Sequence, residues 1–161
     1  MEISQVISPC LWYDGHAEAA ADFYVSVFPN SKIDHILKSD GDWPGGKAGD
    51  AILVSFTIAG QQFQALNGGP NVPFSDAVSL SIACKDQTEV DRYWDALSAD
   101  GGEEVQCGWL KDKYDLRWQV VPTVFMEMMQ DKNREKANRA MGAMMQMVKF
   151  DIAALKRAYD G

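Results

Sequence analysis

Residues 3–31, ISQVISPCLWYDGHAEAAADFYVSVFPNS, contain a strand, a turn and a helix in immediate succession. The β-branched and aromatic run 3–13 is typical of a strand, and it stops at the turn pair Asp14-Gly15. Over 17–28 the apolar residues recur at three- and four-residue spacing, which predicts a helix with one buried face. Pro29-Asn30-Ser31 then ends the helix. The stretch therefore predicts a β–α unit.

Three further strand-like runs follow this unit. The first covers 33–37, and a Gly-rich loop over 39–50 separates it from the next two. The runs 51–58 and 62–66 predict a hairpin that turns at Ala59-Gly60. The predicted order of the first half is therefore β-α-β-β-β.

The same order starts again after a loop over 67–74. A strand-like run over 77–84 precedes a helix over 88–100 that has one apolar face. Three short strand-like runs complete the repeat, and these are 104–106, 109–111 and 116–121, the last two joined by a tight turn at 112–115.

Two copies of one supersecondary unit predict an α+β fold in which two βαβββ modules form a curved, pseudo-symmetric sheet around a shared cleft. We expect a single domain over 1–161, with module 1 at about 1–70 and module 2 at about 75–122. A helical tail is expected at about 123–161, with two or three helices. Asp131 and Asp151 are the predicted N-caps of two of them.

The tail also contains seven of the chain's eight methionines. Methionine is flexible and polarizable, so such a cluster serves either as packing or as an adaptable binding surface. We favour packing on the sheet or on a second subunit over a groove for a ligand or a protein partner. We also expect a homodimer, because a second copy of the chain would cover the apolar surface of a one-domain protein.

The composition excludes several classes of protein. The chain has 161 residues, 47% of them hydrophobic, which is enough for a full core. Its formal net charge of -8 disfavours nucleic acid as a partner. No apolar stretch approaches the length of a membrane span and no basic leader is evident, so we expect a cytoplasmic protein without a membrane partner. Cys10, Cys84 and Cys107 are interpreted as reduced packing residues.

Four motifs resemble one known family. They are PCLWYDG (9–15), ALNGGP (65–70), QCGWLKDK (106–113) and WQVVPT (118–123). Together they identify the chain as similar to the PhnB-like family, often labelled 3-demethylubiquinone 3-methyltransferase, of the vicinal oxygen chelate superfamily. Glyoxalase I and the bleomycin- and fosfomycin-resistance proteins belong to the same superfamily. The resemblance implies the glyoxalase/bleomycin resistance fold. Asp115 stands where the family pattern has Gly, and we expect the turn to survive because Asp tolerates a left-handed conformation.

The resemblance also implies where a metal would bind. Metal-dependent relatives use one residue on the first and one on the last strand of each module, typically His or Glu. The corresponding positions here are Ile7, Gln64, Ser79 and Gln119. These side chains form a poor transition-metal site, and the two histidines, His16 and His35, fall elsewhere. We therefore predict no metal and no cofactor.

The candidate ligand-binding residues are Gln64, Gln119, Trp12, Trp43 and Ser79. Phe63-Gln64 and Trp118-Gln119 each end a module with an aromatic residue followed by an amide. Because strand side chains alternate, a buried aromatic would turn the amide toward the cleft, where it either binds a polar ligand or is satisfied by backbone or water. Trp43 lies on the Gly-rich loop, where it either covers the cleft or packs on a neighbouring strand or subunit.

Two classes of function remain open. One is a metal-independent protein that binds a hydrophobic or aromatic small molecule in the cleft without transforming it. The other is an enzyme of the superfamily, with a 3-demethylubiquinone 3-methyltransferase-like activity as the example that the family label implies. The chain has no Gly-rich β–α nucleotide motif, which argues against a doubly wound methyltransferase. An interaction scaffold built on the Met-rich tail is a third hypothesis.

Overall fold

The computed structural model describes residues 5–161 and contains two compact units, one ending at Pro73 and one running from Phe74 to Gly161. The first unit is a four-stranded sheet with one helix. Its strands run in the order β1-β4-β3-β2, with β1 parallel to β4 and the other pairs antiparallel. The elements are β1 (Cys10–Tyr13), α1 (Ala17–Val27), β2 (Lys32–Lys38), β3 (Ala51–Ile58) and β4 (Gln61–Asn67).

Small and aromatic residues make the core of the first unit. Helix α1 lies on β3 and β4 through a buried stripe that includes three alanines, and alanine lets a helix approach a sheet closely. The Tyr24 ring stacks on Phe56 at 6.3 Å between centroids, and Phe56 stacks on Phe63 at 5.6 Å. These pairs join the helix to two neighbouring strands.

The second unit repeats this arrangement and adds three helices. Its sheet has the order β5-β8-β7-β6, with β5 parallel to β8. The elements are β5 (Leu80–Cys84), α2 (Gln87–Ser98), β6 (Glu103–Glu104), β7 (Trp109–Lys111), β8 (Arg117–Pro122), α3 (Thr123–Gln130), α4 (Arg134–Met144) and α5 (Ile152–Asp160). Within residues 5–161, no helix has the length and apolar character needed to cross a bilayer.

The predicted α+β class with two βαβββ modules is confirmed, and the eight strands hydrogen-bond as two four-stranded sheets. The hairpin turn is confirmed as well: Ala59 and Gly60 have φ of 49° and 80°, the pair of positive values that a type I′ turn requires. Asp115 adopts φ 67° and its N–H bonds to the Asp112 carbonyl at 2.8 Å, so the turn before β8 forms without glycine.

Two strands are shorter than predicted. The run 3–13 yields a strand only from Cys10, and the run 77–84 only from Leu80, while residues 3 and 4 lie outside the described part. Ahead of β1, the Gln5 side-chain oxygen accepts the Gln62 N–H at 3.0 Å. The Pro9 carbonyl still accepts the Gln64 N–H at 2.9 Å, and β1 begins only after Pro9, which has no N–H to donate.

The tail forms three helices, at the upper end of the prediction. Asp151 caps α5 as predicted, accepting the Ala154 N–H at 2.9 Å. The prediction for Asp131 is wrong, because Asp131 follows the end of α3 and Asn133 caps α4 by accepting the Lys136 N–H. Gln87 at the start of α2 holds the tail by donating to the Phe150 carbonyl and accepting the Ile152 N–H, both at 2.9 Å.

Asn67 connects three elements of the first unit. Its side-chain oxygen accepts the N–H of Ala17, the first residue of α1, at 2.9 Å. Its side-chain nitrogen donates to the carbonyl of Ala51, the first residue of β3, at 2.8 Å. Asn67 is only 5% exposed, and His16 makes no side-chain cap for α1. The last residue of β4 therefore caps a helix that is remote in sequence.

We predict that Asn67→Ala lowers the free energy of unfolding by about 2–4 kcal/mol, because two buried backbone groups lose their partners at once. Urea denaturation followed by circular dichroism measures the change. Asn138→Ala, on an exposed position of α4, is the matched control and should change stability by less than about 0.5 kcal/mol. Equal stability of the two variants would contradict the role given to Asn67.

Candidate functional site

The first sheet has one side turned away from α1, and we call this side the Gln64 face. Phe63 is buried beneath α1, and the neighbouring side chain of Gln64 therefore points to the opposite side. Strand register places on this face Cys10, Trp12, Lys32, His35, Leu37, Leu53, Ser55, Thr57, Gln62, Gln64 and Leu66.

A row of polar side chains crosses the Gln64 face. Cys10 of β1 pairs with Gln64 of β4, Gln64 pairs with Ser55 of β3, and Ser55 pairs with His35 of β2. Gln64 is half-buried and Ser55 is only 9% exposed, whereas Cys10 and His35 are exposed. The row therefore has a sheltered amide and hydroxyl at its centre, and residues directly opposite each other in a sheet lie about 5 Å apart.

An apolar row lies beside the polar one, two residues along each strand. It pairs Trp12 with Leu66, Leu66 with Leu53, and Leu53 with Leu37. The first three side chains are half-buried, and Leu37 is 48% exposed. Polar and apolar rows about 7 Å apart give the face the pattern of an amphipathic contact surface.

Trp12 and Trp43 both donate hydrogen bonds to the backbone at the end of β4 and just after it. The Trp12 indole N–H donates to the Gly69 carbonyl and the Trp43 indole N–H to the Asn67 carbonyl, each at 2.9 Å. The Trp12 ring lies so close to Gly68 that a β-carbon there would be 2.2 Å from it. Both indole donors thus hold the protein's own backbone, and only ring surface remains for a ligand.

An open groove of about 500 Å³ lies next to this segment. It is lined by Asp14, Gly69, Asn71, Val72 and Pro73. The groove shares Gly69 with the Trp12 hydrogen bond, so the two features adjoin.

The second unit has a related face on the side of its sheet opposite α2. Gln119 of β8 pairs with Ser81 of β5 in the same parallel register in which Gln64 pairs with Cys10. The Gln119 amide donates to the Ser79 hydroxyl at 2.9 Å, so the structure brings these two predicted site residues together. Trp109 pairs with Gln119 and is half-buried.

Trp118 lies on the other side of the second sheet. It is 2% exposed, and its indole N–H donates to the buried carboxylate of Asp112 at 2.8 Å. Trp118 therefore belongs to the core of the second unit. The aromatic residue before each glutamine is buried, as the alternation argument requires.

The three cysteines have different environments. Cys84 is fully buried, and burial together with nearby Glu89 and Asp86 raises its thiol pKa to about 12. Cys107 is half-buried, while Cys10 is exposed on the Gln64 face. The packing interpretation is therefore wrong for Cys10, whose pKa is nonetheless raised by partial burial of the thiol.

The comparisons with known proteins agree with the fold. The family model described as 3-demethylubiquinone-9 3-methyltransferase matches residues 5–121. The PhnB protein from Bacillus cereus is 33% identical, with a TM-score of 0.67 over 73% of this chain and 99% of that one. The chain belongs to this family. The family is part of the vicinal oxygen chelate superfamily.

Two more distant structures match the chain in fold alone. Protein PA1353 from Pseudomonas aeruginosa is 19% identical, with a TM-score of 0.60 over 74% of this chain and 98% of that one. The fosfomycin resistance protein FosX from Listeria monocytogenes, solved with Mn(II) and sulfate, is 18% identical, with a TM-score of 0.50 over 75% and 91%. No curated protein matches the chain significantly.

The four residues that the family resemblance assigns to metal positions do not fit a metal ion. Ile7 has no donor atom and its side chain is 85% exposed. Ser79 and Gln119 are hydrogen-bonded to each other, and Gln64 supplies a neutral amide. Across residues 5–161, no three His, Cys, Asp or Glu side chains lie together as a possible metal site. Neutral amides and one hydroxyl bind transition metals weakly.

We predict that the purified PhnB-like protein, after extensive dialysis, carries much less than one equivalent of zinc, nickel, manganese or iron. Elemental analysis by mass spectrometry measures this, with the manganese-bound FosX protein processed in parallel as a positive control. A stoichiometric metal that is lost in Gln64→Ala or Gln119→Ala would contradict the prediction.

Proposed function

We propose that the PhnB-like protein binds a hydrophobic or aromatic small molecule without a metal, and that the Gln64 face is its main contact surface. One observation carries this proposal. The half-buried Gln64 amide has no hydrogen-bond partner among residues 5–161, although it lies between other polar side chains and beside an apolar row. Because no buried side-chain polar atom among residues 5–161 lacks a partner, water reaches this amide. A ligand group that replaces the water can therefore bond to Gln64 without displacing a protein partner.

The rest of the face supports the same role. Half-buried Leu53, Leu66 and the Trp12 ring offer apolar surface that a hydrophobic ligand would remove from water. In this proposal Gln64 fixes the orientation of the ligand and the apolar row supplies most of the binding free energy. Ligand sites commonly combine apolar surface with a few placed polar groups.

The other predicted site residues, Gln119, Ser79 and Trp43, would contribute less to binding than Gln64. Gln119 and Ser79 already satisfy each other in part, so a ligand there would compete with their hydrogen bond. Trp43 would contribute ring surface only, because its N–H is used. The shared cleft between the modules stays a prediction, as does a cytoplasmic location. The net charge of -8 supports the absence of a nucleic-acid partner from this proposal.

An enzyme is the second candidate, and the family description is what favours it. That description names a methyltransferase acting on 3-demethylubiquinone-9. Incubation of the protein with a demethylated quinol and a methyl donor, followed by mass spectrometry of the product, separates the two candidates. Turnover that depends on Gln64 would replace the binding proposal.

We predict that Gln64→Leu weakens the binding of aromatic ligands by about 1–3 kcal/mol while the fold remains intact. The leucine fills the same space but cannot form the hydrogen bond. Tryptophan fluorescence during titration with a panel of aromatic compounds measures the affinity, because Trp12 lies on the same face.

Gln62→Leu is the matched control for this experiment. Gln62 is also half-buried and lies on the same strand and face, but it pairs with Thr57, on the side of Gln64 away from the apolar row. It should leave affinity within about twofold of wild type. If both variants bind every hit as wild type does, or if Gln64→Leu unfolds, Gln64 has a structural role.

We also propose that the protein forms a homodimer. Apolar side chains are exposed on the tail of the second unit, namely Met126, Met141, Met145 and Val148. A closed two-fold pair is the commonest way to bury such surface. We predict a mass near twice the 17.9 kDa of one chain by light scattering at micromolar concentration. A mass near 17.9 kDa would exclude the dimer.

A further inference from the structure

Three of the four strands that form the Gln64 face contain no charged residue. Strands β1, β3 and β4 read CLWY, AILVSFTI and QQFQALN, without Asp, Glu, Lys, Arg or His. All fixed charge in this sheet therefore comes from β2 at its edge. The centre of the face offers neutral hydrogen-bonding groups and hydrocarbon only.

The charges of β2 largely compensate one another. The Lys32 ammonium lies 3.4 Å from the Asp34 carboxylate, and the Thr57 hydroxyl donates to the same carboxylate at 2.7 Å. Lys38 follows a register shift at the far end of the strand, and His35 is exposed at the end of the polar row. An ionised ligand group beside Gln64 would thus lose water without gaining an opposite charge.

Ser55 indicates where the polar part of a ligand would bind. Ser55 is only 9% exposed. No hydrogen bond joins its hydroxyl to another residue among 5–161, and because no buried side-chain polar atom in that range lacks a partner, water must reach this hydroxyl. It lies opposite Gln64 in the register, so a sheltered hydroxyl and a sheltered amide stand next to each other. Each can both donate and accept, which suits a neutral hydroxyl or carbonyl group.

We propose that the ligand of the Gln64 face is an uncharged amphipathic molecule. Its hydroxyl or carbonyl group binds between Gln64 and Ser55, and its apolar body lies across Leu53 and Leu66 toward Trp12. This inference rests on the proposed function and specifies its ligand class and a further contact, Ser55. The two rows are about 7 Å apart, which a fused two-ring compound spans.

Three naphthalene derivatives test the proposal on the full-length protein near neutral pH. They are 2-naphthol, which is neutral and donates, 2-methoxynaphthalene, which only accepts, and 2-naphthoate, which is an anion. We expect 2-naphthol to bind at least about 10-fold more tightly than 2-naphthoate by isothermal titration calorimetry, with the ether between them. Gln64→Leu and Ser55→Ala should each weaken 2-naphthol by about 5- to 10-fold, and Gln62→Leu by less than twofold.

The thiol of Cys10 reports where the probe binds, because Cys10 pairs with Gln64 in the sheet. Bound 2-naphthol should slow alkylation of Cys10 by N-ethylmaleimide and leave Cys107 of the second unit unaffected. Mass spectrometry of tryptic peptides gives both rates from one sample.

The possible outcomes separate the ligand class from the binding face. Tighter binding of 2-naphthoate, with the same loss in Gln64→Leu and the same protection of Cys10, would overturn the uncharged class and leave the Gln64 face as the binding surface. Equal affinities in Gln64→Leu and Gln62→Leu, or no protection of Cys10, would overturn the proposed function as well. No measurable binding of any probe would count against both.

Discussion

The first unit depends on the pair of side-chain hydrogen bonds made by Asn67. They join the end of β4 to the start of α1 and to the start of β3. The two backbone groups that they pair are the N–H of Ala17 and the carbonyl of Ala51. The Asn67 carbonyl also accepts the Trp43 indole, and the Trp12 indole bonds two residues later, to Gly69. Asn67 thus fixes the apolar end of the Gln64 face through its backbone carbonyl, while its side chain caps α1 on the other side of the sheet.

Local chemistry explains why most of the fold was predictable. Helices α1 and α2 follow from apolar spacing, and the Ala59-Gly60 hairpin follows from residues that accept positive φ. The ends of elements were less predictable. Asp131 and Asn133 are both good caps two residues apart, and only the backbone path selects Asn133. Likewise β1 begins only at Cys10, because Pro9 before it accepts the Gln64 N–H but has no N–H to donate.

The candidate site was predictable only in part. Alternation placed Gln64 and Gln119 opposite buried aromatic residues, since each face of a strand repeats every second residue. Ser55 and His35 were missed because their place in the polar row depends on long-range pairing. His35 reaches it through a register shift between Ile33 and His35, and such an irregularity moves later side chains to the other side of a sheet. Single-strand periodicity cannot predict that shift.

The same lack of charged side chains disfavours both a bound metal ion and an anionic ligand. A transition-metal cation binds best to anionic or imidazole ligands, and the positions that the family resemblance assigns to a metal carry aliphatic, hydroxyl or amide side chains. An anionic ligand needs a nearby cation, and β1, β3 and β4 provide none. The centre of the Gln64 face carries no fixed charge, so it offers neither an anionic ligand to a metal nor a cation to an anionic molecule. Polar recognition there must come from neutral groups such as Gln64 and Ser55. Their hydrogen bonds select a ligand by the direction and distance of its polar atoms, and the neighbouring apolar side chains select it by shape.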